Sequence, residues 1–223
     1  MQYERLSEIK DKDYKIVSLG FNCFPRTILT RWGLKPSKAQ GELSMPFDFA
    51  VYETFEITKC LEEQFGSFFE NLEFYSNKFL PWRKKFWYKS PDLIKFVHEK
   101  SLGKNDKSKL ITIYSRRIEN FKKCIEDKTP ILFVQLVGDC EDIENVYKEL
   151  TKFRGDKTFR LLVIDPDGII KSDNKNIIVL KLAYPSKLYK HFWWSKKFFW
   201  SAKDIKFERQ IADTCVEIIK ALP

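Results

Sequence analysis

Residues 131–137, Ile-Leu-Phe-Val-Gln-Leu-Val, form an apolar run broken only by one glutamine and show no alternation. A strand with one face in water alternates apolar and polar residues, and a strand that does not alternate is buried on both faces, as in a parallel sheet sandwiched by helices. Parallel neighbours cannot be joined by hairpins and need long crossovers, usually helical. The rest of the chain supplies the parts. Lys15–Gly20, Phe159–Ile164 and Ile177–Leu182 read as further strands. Helical spacing appears at Pro25–Trp32 (ending at Gly33), at Thr54–Phe65, at Tyr114–Ile125, in a segment bearing Ile143, Val146, Tyr147, Leu150 and Phe153, and at about 204–222. Strands alternating with helices predict an α/β fold, a three-layer sandwich with a mostly parallel sheet, formed by residues 1–223 as a single domain.

Two segments stand outside that alternation. Leu43–Phe49 is short and interrupted by Pro46, which lacks the N–H a central strand needs, so it reads as an ordered loop presenting Asp48. Residues 66–100 are aromatic and irregular, the kind of segment that roofs a pocket. A second aromatic and basic stretch lies at Tyr189–Trp200, within 186–202. It could stack on sugars or bases or sit at a membrane interface, or it could pack on the domain as a lid or seam.

Composition narrows the function. The 223 residues carry 40 Lys+Arg against 31 Asp+Glu, a net charge of +9. That balance suits a polyanion or an anionic membrane surface, but no recognised nucleic-acid motif accompanies it, so nucleic acid is not expected as a partner. No apolar run is long enough to span a membrane, and no leader is visible, which gives a cytoplasmic expectation. The 5 Cys are scattered and the His number 2, so neither a disulfide framework nor a zinc site is expected. Glycine-rich phosphate loops and the Gly-x-Ser-x-Gly elbow are absent, and no cofactor is expected.

Chemistry concentrates at Ser18-Leu-Gly-Phe-Asn-Cys23. A strand, a Gly turn and a helix start place Cys23 at the carboxyl end of a strand beside a helix N-terminus, where the helix field lowers a thiol pKa and stabilises an oxyanion. The alternative is a small hydrophobe filling a gap. A nucleophilic thiol needs an imidazole within reach, which His98 or His191 could provide, and a third polar group to orient it. Asp48 or Asn22 could serve as that orienter or as an oxyanion partner, or Asp48 could cap the next helix.

Three motifs, Ser18-Leu-Gly-Phe-Asn-Cys23, Trp32-Gly-Leu-Lys35 and Met45-Pro-Phe-Asp-Phe49, resemble the bacterial family DUF1796, which is labelled a papain-like cysteine peptidase. The Tyr114–Phe121 helix with its Arg116-Arg117-Ile118 and the strand after it resemble the same family, over about residues 15–165. Two positions depart from its pattern. Val97-His98-Glu99 stands where the family often has His-Asp-Phe, and Phe49 stands where it has Trp. The resemblance implies a cysteine-dependent hydrolase, of peptidase or acyl-transfer type. Cys23 would be nucleophile, His98 base and Asp48 a third member, with Ser18, Asn22, Arg116 and Arg117 binding a small-molecule, peptide or glycan substrate. Papain-like folds set the Cys on a long helix against a barrel half. The β/α order here is instead similar to flavodoxin-like and SGNH-hydrolase layouts, without the late Asp-x-x-His of the latter. A second reading is a non-catalytic glycan- or polyanion-binding accessory of surface-polysaccharide biosynthesis.

Overall fold

Along the four strands of the main sheet, successive side chains enter two different cores. The computed structural model describes residues 3–77, 85–89, 94–99, 102–138, 142–193 and 201–223. Strands β1 (Lys15–Leu19), β5 (Ile131–Leu136), β6 (Phe159–Asp165) and β7 (Ile177–Lys181) pair in that order, all parallel. Val17, Leu19, Phe133, Leu161 and Val163 face helices α2 (Thr54–Glu62), α3 (Lys107–Glu126) and α4 (Ile143–Arg154). Ile16, Leu132, Val134, Leu162 and Ile164 face α1 (Phe24–Arg31) and α6 (Ala202–Lys220), with Tyr189 of α5 (Lys187–Phe192). With period-two side chains, a sheet apolar on both faces must be covered on both, and the result is the three-layer α/β sandwich that the unbroken run at 131–137 predicts. Among the described residues no helix is long and apolar enough to cross a membrane.

The elements differ from the sequence reading where burial overrides local preference. Helix α3 begins at Lys107, well before Tyr114, because Leu110 and Tyr114 are both fully buried and draw the β-branched turn Ile111-Thr112-Ile113 into the helix. Helix α6 starts at Ala202 on a reciprocal cap: Ser201 Oγ accepts the Asp204 N–H at 3.2 Å, and Asp204 Oδ2 accepts the Ser201 N–H at 2.8 Å. The segment expected to be irregular contains a second sheet, antiparallel, of β2 (Glu73–Asn77), β3 (Lys85–Lys89) and β4 (Lys95–Phe96). Phe96 plugs that sheet into the main core, with its ring 4.6 Å from Tyr114 and 5.8 Å from Phe68. Of the aromatic and basic stretch, Tyr189 and Trp193 are buried against α1, while residues 194–200 lie outside the described residues.

Buried charge ties the layers together. Arg154, fully buried at the end of α4, donates to the carbonyls of Ile125, Asp127, Thr129 and Thr158 at 2.6–3.0 Å, gathering the loops that feed β5 and β6. Glu208 of α6, also fully buried, accepts from Trp32 Nε1 at 2.8 Å and from the Tyr189 hydroxyl at 2.7 Å, and it pairs with Arg31. Three elements therefore converge on one carboxylate. Truncation would take the carboxylate from the Arg31 guanidinium and from two buried donors, so Glu208→Ala is expected to lower stability by about 3–5 kcal/mol. Urea unfolding measures this, and a loss below about 1 kcal/mol, the size of an exposed pair, would contradict it.

Candidate functional site

The site grows from the loop that leaves β1. A Cβ at Gly20 would stand 2.0 Å from the Asn22 carbonyl oxygen, so only glycine allows the chain to fold back this tightly. Asn22 Oδ1 accepts the Phe24 N–H at 2.7 Å, and Pro25 sits in the first turn of α1, where its missing N–H costs nothing. Phe24 itself is fully buried, with its ring 5.1–6.5 Å from Tyr184, Tyr189, Trp193 and Phe207. The residue after the cysteine is thus an anchor. It fixes Cys23 as the N-cap of α1, half-buried, with the helix's positive end beside its sulfur.

Two backbone clasps then carry the loop to its partner. The Tyr52 N–H donates to the Phe21 carbonyl at 3.1 Å. Next to it, Val51 and Lys95 exchange both N–H···O bonds, at 2.9 and 3.1 Å, which fastens β4 alongside. A tight turn after β4, with the Val97 N–H on the Lys95 carbonyl at 3.0 Å, swings His98 back over the loop. Cys23 Sγ and His98 Nε2 lie 3.1 Å apart, and the imidazole is exposed to solvent. His191, the other candidate, is on the exposed side of α5.

The thiol does not have the low pKa that the helix N-terminus predicts. Burial pushes Cys23 up to about 11, outweighing the lowering by its own backbone N–H. At neutral pH the resting cysteine is therefore a thiol.

The other predicted residues divide. Ser18 is fully buried on β1 and donates to Asp48 Oδ1 at 2.5 Å, while Asp48 Oδ2 accepts the Met45 N–H at 2.9 Å. With both oxygens occupied, Asp48 clasps the 45–48 turn to β1, and the expectation of Ser18 as a substrate contact gives way to a structural one. Asp48 does not cap α2 either, because the box at that end is closed by Glu53 and Glu56. Arg116 and Arg117 are consecutive on a helix and so point about 100° apart. Arg116 faces solvent, while Arg117 is buried and pairs with Glu99 at 2.8 Å. Glu99 and Phe49, which also meets Arg117, figure in the sequence reading only as departures from the family pattern and not as site residues; the acidic residue beside a histidine was the available signal. Among the described residues no group of three or more His, Cys, Asp or Glu is placed to hold a metal. A cavity of about 620 Å³, lined by Ile16, Lys35, Glu42 and Cys124 among others, lies along the opposite, amino end of β1, away from Cys23.

Two substitutions test this construction. Gly20→Ala must displace the Asn22 carbonyl, so Cys23 alkylation near neutral pH is expected to fall by about a factor of ten or more, as for other small misplacements of reacting groups. Far-ultraviolet circular dichroism checks that the sheet survives. Asp48→Ala leaves the buried Ser18 hydroxyl and the Met45 N–H unpaired, and is expected to cost about 1–3 kcal/mol in chemical denaturation.

No curated protein and no solved structure shows a match to the chain. Residues 14–160, well over half of it, match the family described as "Putative papain-like cysteine peptidase (DUF1796)". With the three-layer fold and the loop after β1 in place, the chain belongs to the DUF1796 family.

Proposed function

We propose that the protein is a cysteine-dependent hydrolase of peptidase or acyl-transfer type, with Cys23 as nucleophile and His98 as base. The observation that carries this reading is the 3.1 Å approach of Cys23 Sγ to His98 Nε2 at the N-terminus of α1. The family description points to the same class of chemistry.

Because burial favours the neutral thiol, the proton leaves the sulfur during attack and not beforehand. Sγ bonds to the acyl carbon as Nε2 takes the thiol proton, and the carbonyl π electrons move onto oxygen. In this reading the positive end of α1 and the side-chain nitrogen of Asn22, whose Oδ1 already accepts the Phe24 N–H, would stabilise that oxyanion. Collapse expels the amine or alcohol, which takes the proton from His98 and leaves a thioester. Water, deprotonated by the same imidazole, adds to the acyl carbon; collapse breaks the C–S bond, the Cys23 sulfur takes the proton back from His98 and the acid leaves, and another acceptor in place of water makes the reaction a transfer. The glycan- or polyanion-binding alternative gains no specific observation, and most of the aromatic and basic stretch that motivated it is outside the described residues.

The test is the pH dependence of Cys23 alkylation by iodoacetamide, mapped by mass spectrometry, in the wild type and in His98→Ala. Without the base, the rate should climb tenfold per pH unit towards a midpoint near the thiol's own value of about 11. The wild type should show an extra limb near neutrality, roughly 100-fold above the variant at pH 7. Superimposable profiles would sink the proposal.

A further inference from the structure

We propose that the buried Arg117–Glu99 ion pair and the ring of Phe49 position the imidazole of His98, an inference that rests on the Cys23–His98 reading above. Glu99 is the covalent neighbour of His98, and its carboxylate is held by Arg117 at 2.8 Å, with side-chain exposures of 15% and 7%. The guanidinium lies over the Tyr114 ring at 4.4 Å and meets the Phe49 ring at 5.2 Å. Phe49 in turn meets His98 edge-on, with ring centroids 6.0 Å apart.

One arginine therefore reaches the imidazole by two routes. Through Glu99 it fixes the backbone from which His98 projects, and through Phe49 it supports the ring against which His98 rests. A planar guanidinium can do both at once, stacking on its faces while its charge pairs with a carboxylate, which a lysine ammonium cannot. Strand β4 is two residues long, so what packs around His98 contributes to where its ring stands. A buried pair of this kind is a poor source of stability compared with apolar packing, and its use here is to set position. Helix α3 carries both Arg117 and Tyr114, so the position of His98 is referred to the rigid three-layer core and not to the small sheet alone.

The deciding variant is Arg117→Met with Glu99→Gln, which removes both charges together and strands neither. It is expected to fold and to lose most of the neutral-pH limb of Cys23 alkylation, about tenfold or more at pH 7. Arg117→Lys alone, which keeps the charge and loses the stack, should fall between it and wild type. The chain has 2 histidines, so the imidazole Cε1 protons give two NMR signals. That of His98, assigned from His98→Ala, should shift in the double variant while that of His191 stays. A folded double variant with wild-type alkylation and an unmoved His98 signal overturns the inference while leaving the Cys23–His98 pair standing if His98→Ala is slow. If His98→Ala is itself unaltered, the pair fails and the inference falls with it. Phe49→Leu leaves both charges in place and gives the same two readouts should the double variant not fold; wild-type behaviour in it equally overturns the inference.

Discussion

The site depends on two short backbone clasps, Tyr52 to Phe21 and Val51 to Lys95. The main sheet runs in simple order from β1 to β7, with β1 at an edge. Among the described residues no reversal of strand order opens a crevice at the end of β1, in contrast to the switch points of doubly wound sheets. The crevice is made instead by bringing a second, small sheet alongside the loop. Main-chain hydrogen bonds suit this task because they fix distance and direction together without depending on side-chain rotamers. They bring residues 75 positions apart to hydrogen-bond distance at Cys23 and His98.

Packing makes those clasps rigid. Phe24, Phe47 and Phe96 are each essentially fully buried, and each follows or precedes a site residue by one or two positions. Phe24 seats the start of α1, Phe47 seats the turn that ends at Phe49, and Phe96 seats β4. Pinning the neighbour of a functional residue leaves the functional group at the surface of the core with little freedom, which is what a pre-organised site requires. The high aromatic content, 16% of the chain, is in this respect a positioning device as much as a source of apolar area.

Electrostatics in the protein follow burial more than helix direction. Cys23 sits where a helix dipole should lower a thiol pKa, yet loss of water raises it, since the field of one short helix is weaker than the cost of desolvating a thiolate.

Much of this was legible in the residues themselves. The unalternating run at 131–137, the strand into Gly20 and the periodic apolar positions of α2, α4 and α6 are local patterns, and local sterics together with one-dimensional periodicity are enough to specify strands, helices and a two-sided sheet. The placement of Cys23 at a helix start is equally local, because Gly20, Asn22 and Pro25 act on their immediate neighbours. The sequence by itself therefore determined the layers and where Cys23 would stand. Which histidine meets it, that Asp48 serves Ser18 and a turn, that Arg117 is buried while Arg116 is not, and that Glu73–Asn77, Lys85–Lys89 and Lys95–Phe96 pair into a sheet were decided only in three dimensions. Each of those outcomes turns on contacts between segments tens of residues apart and on which groups lose water, and neither quantity has a period or a spacing to be read along the chain.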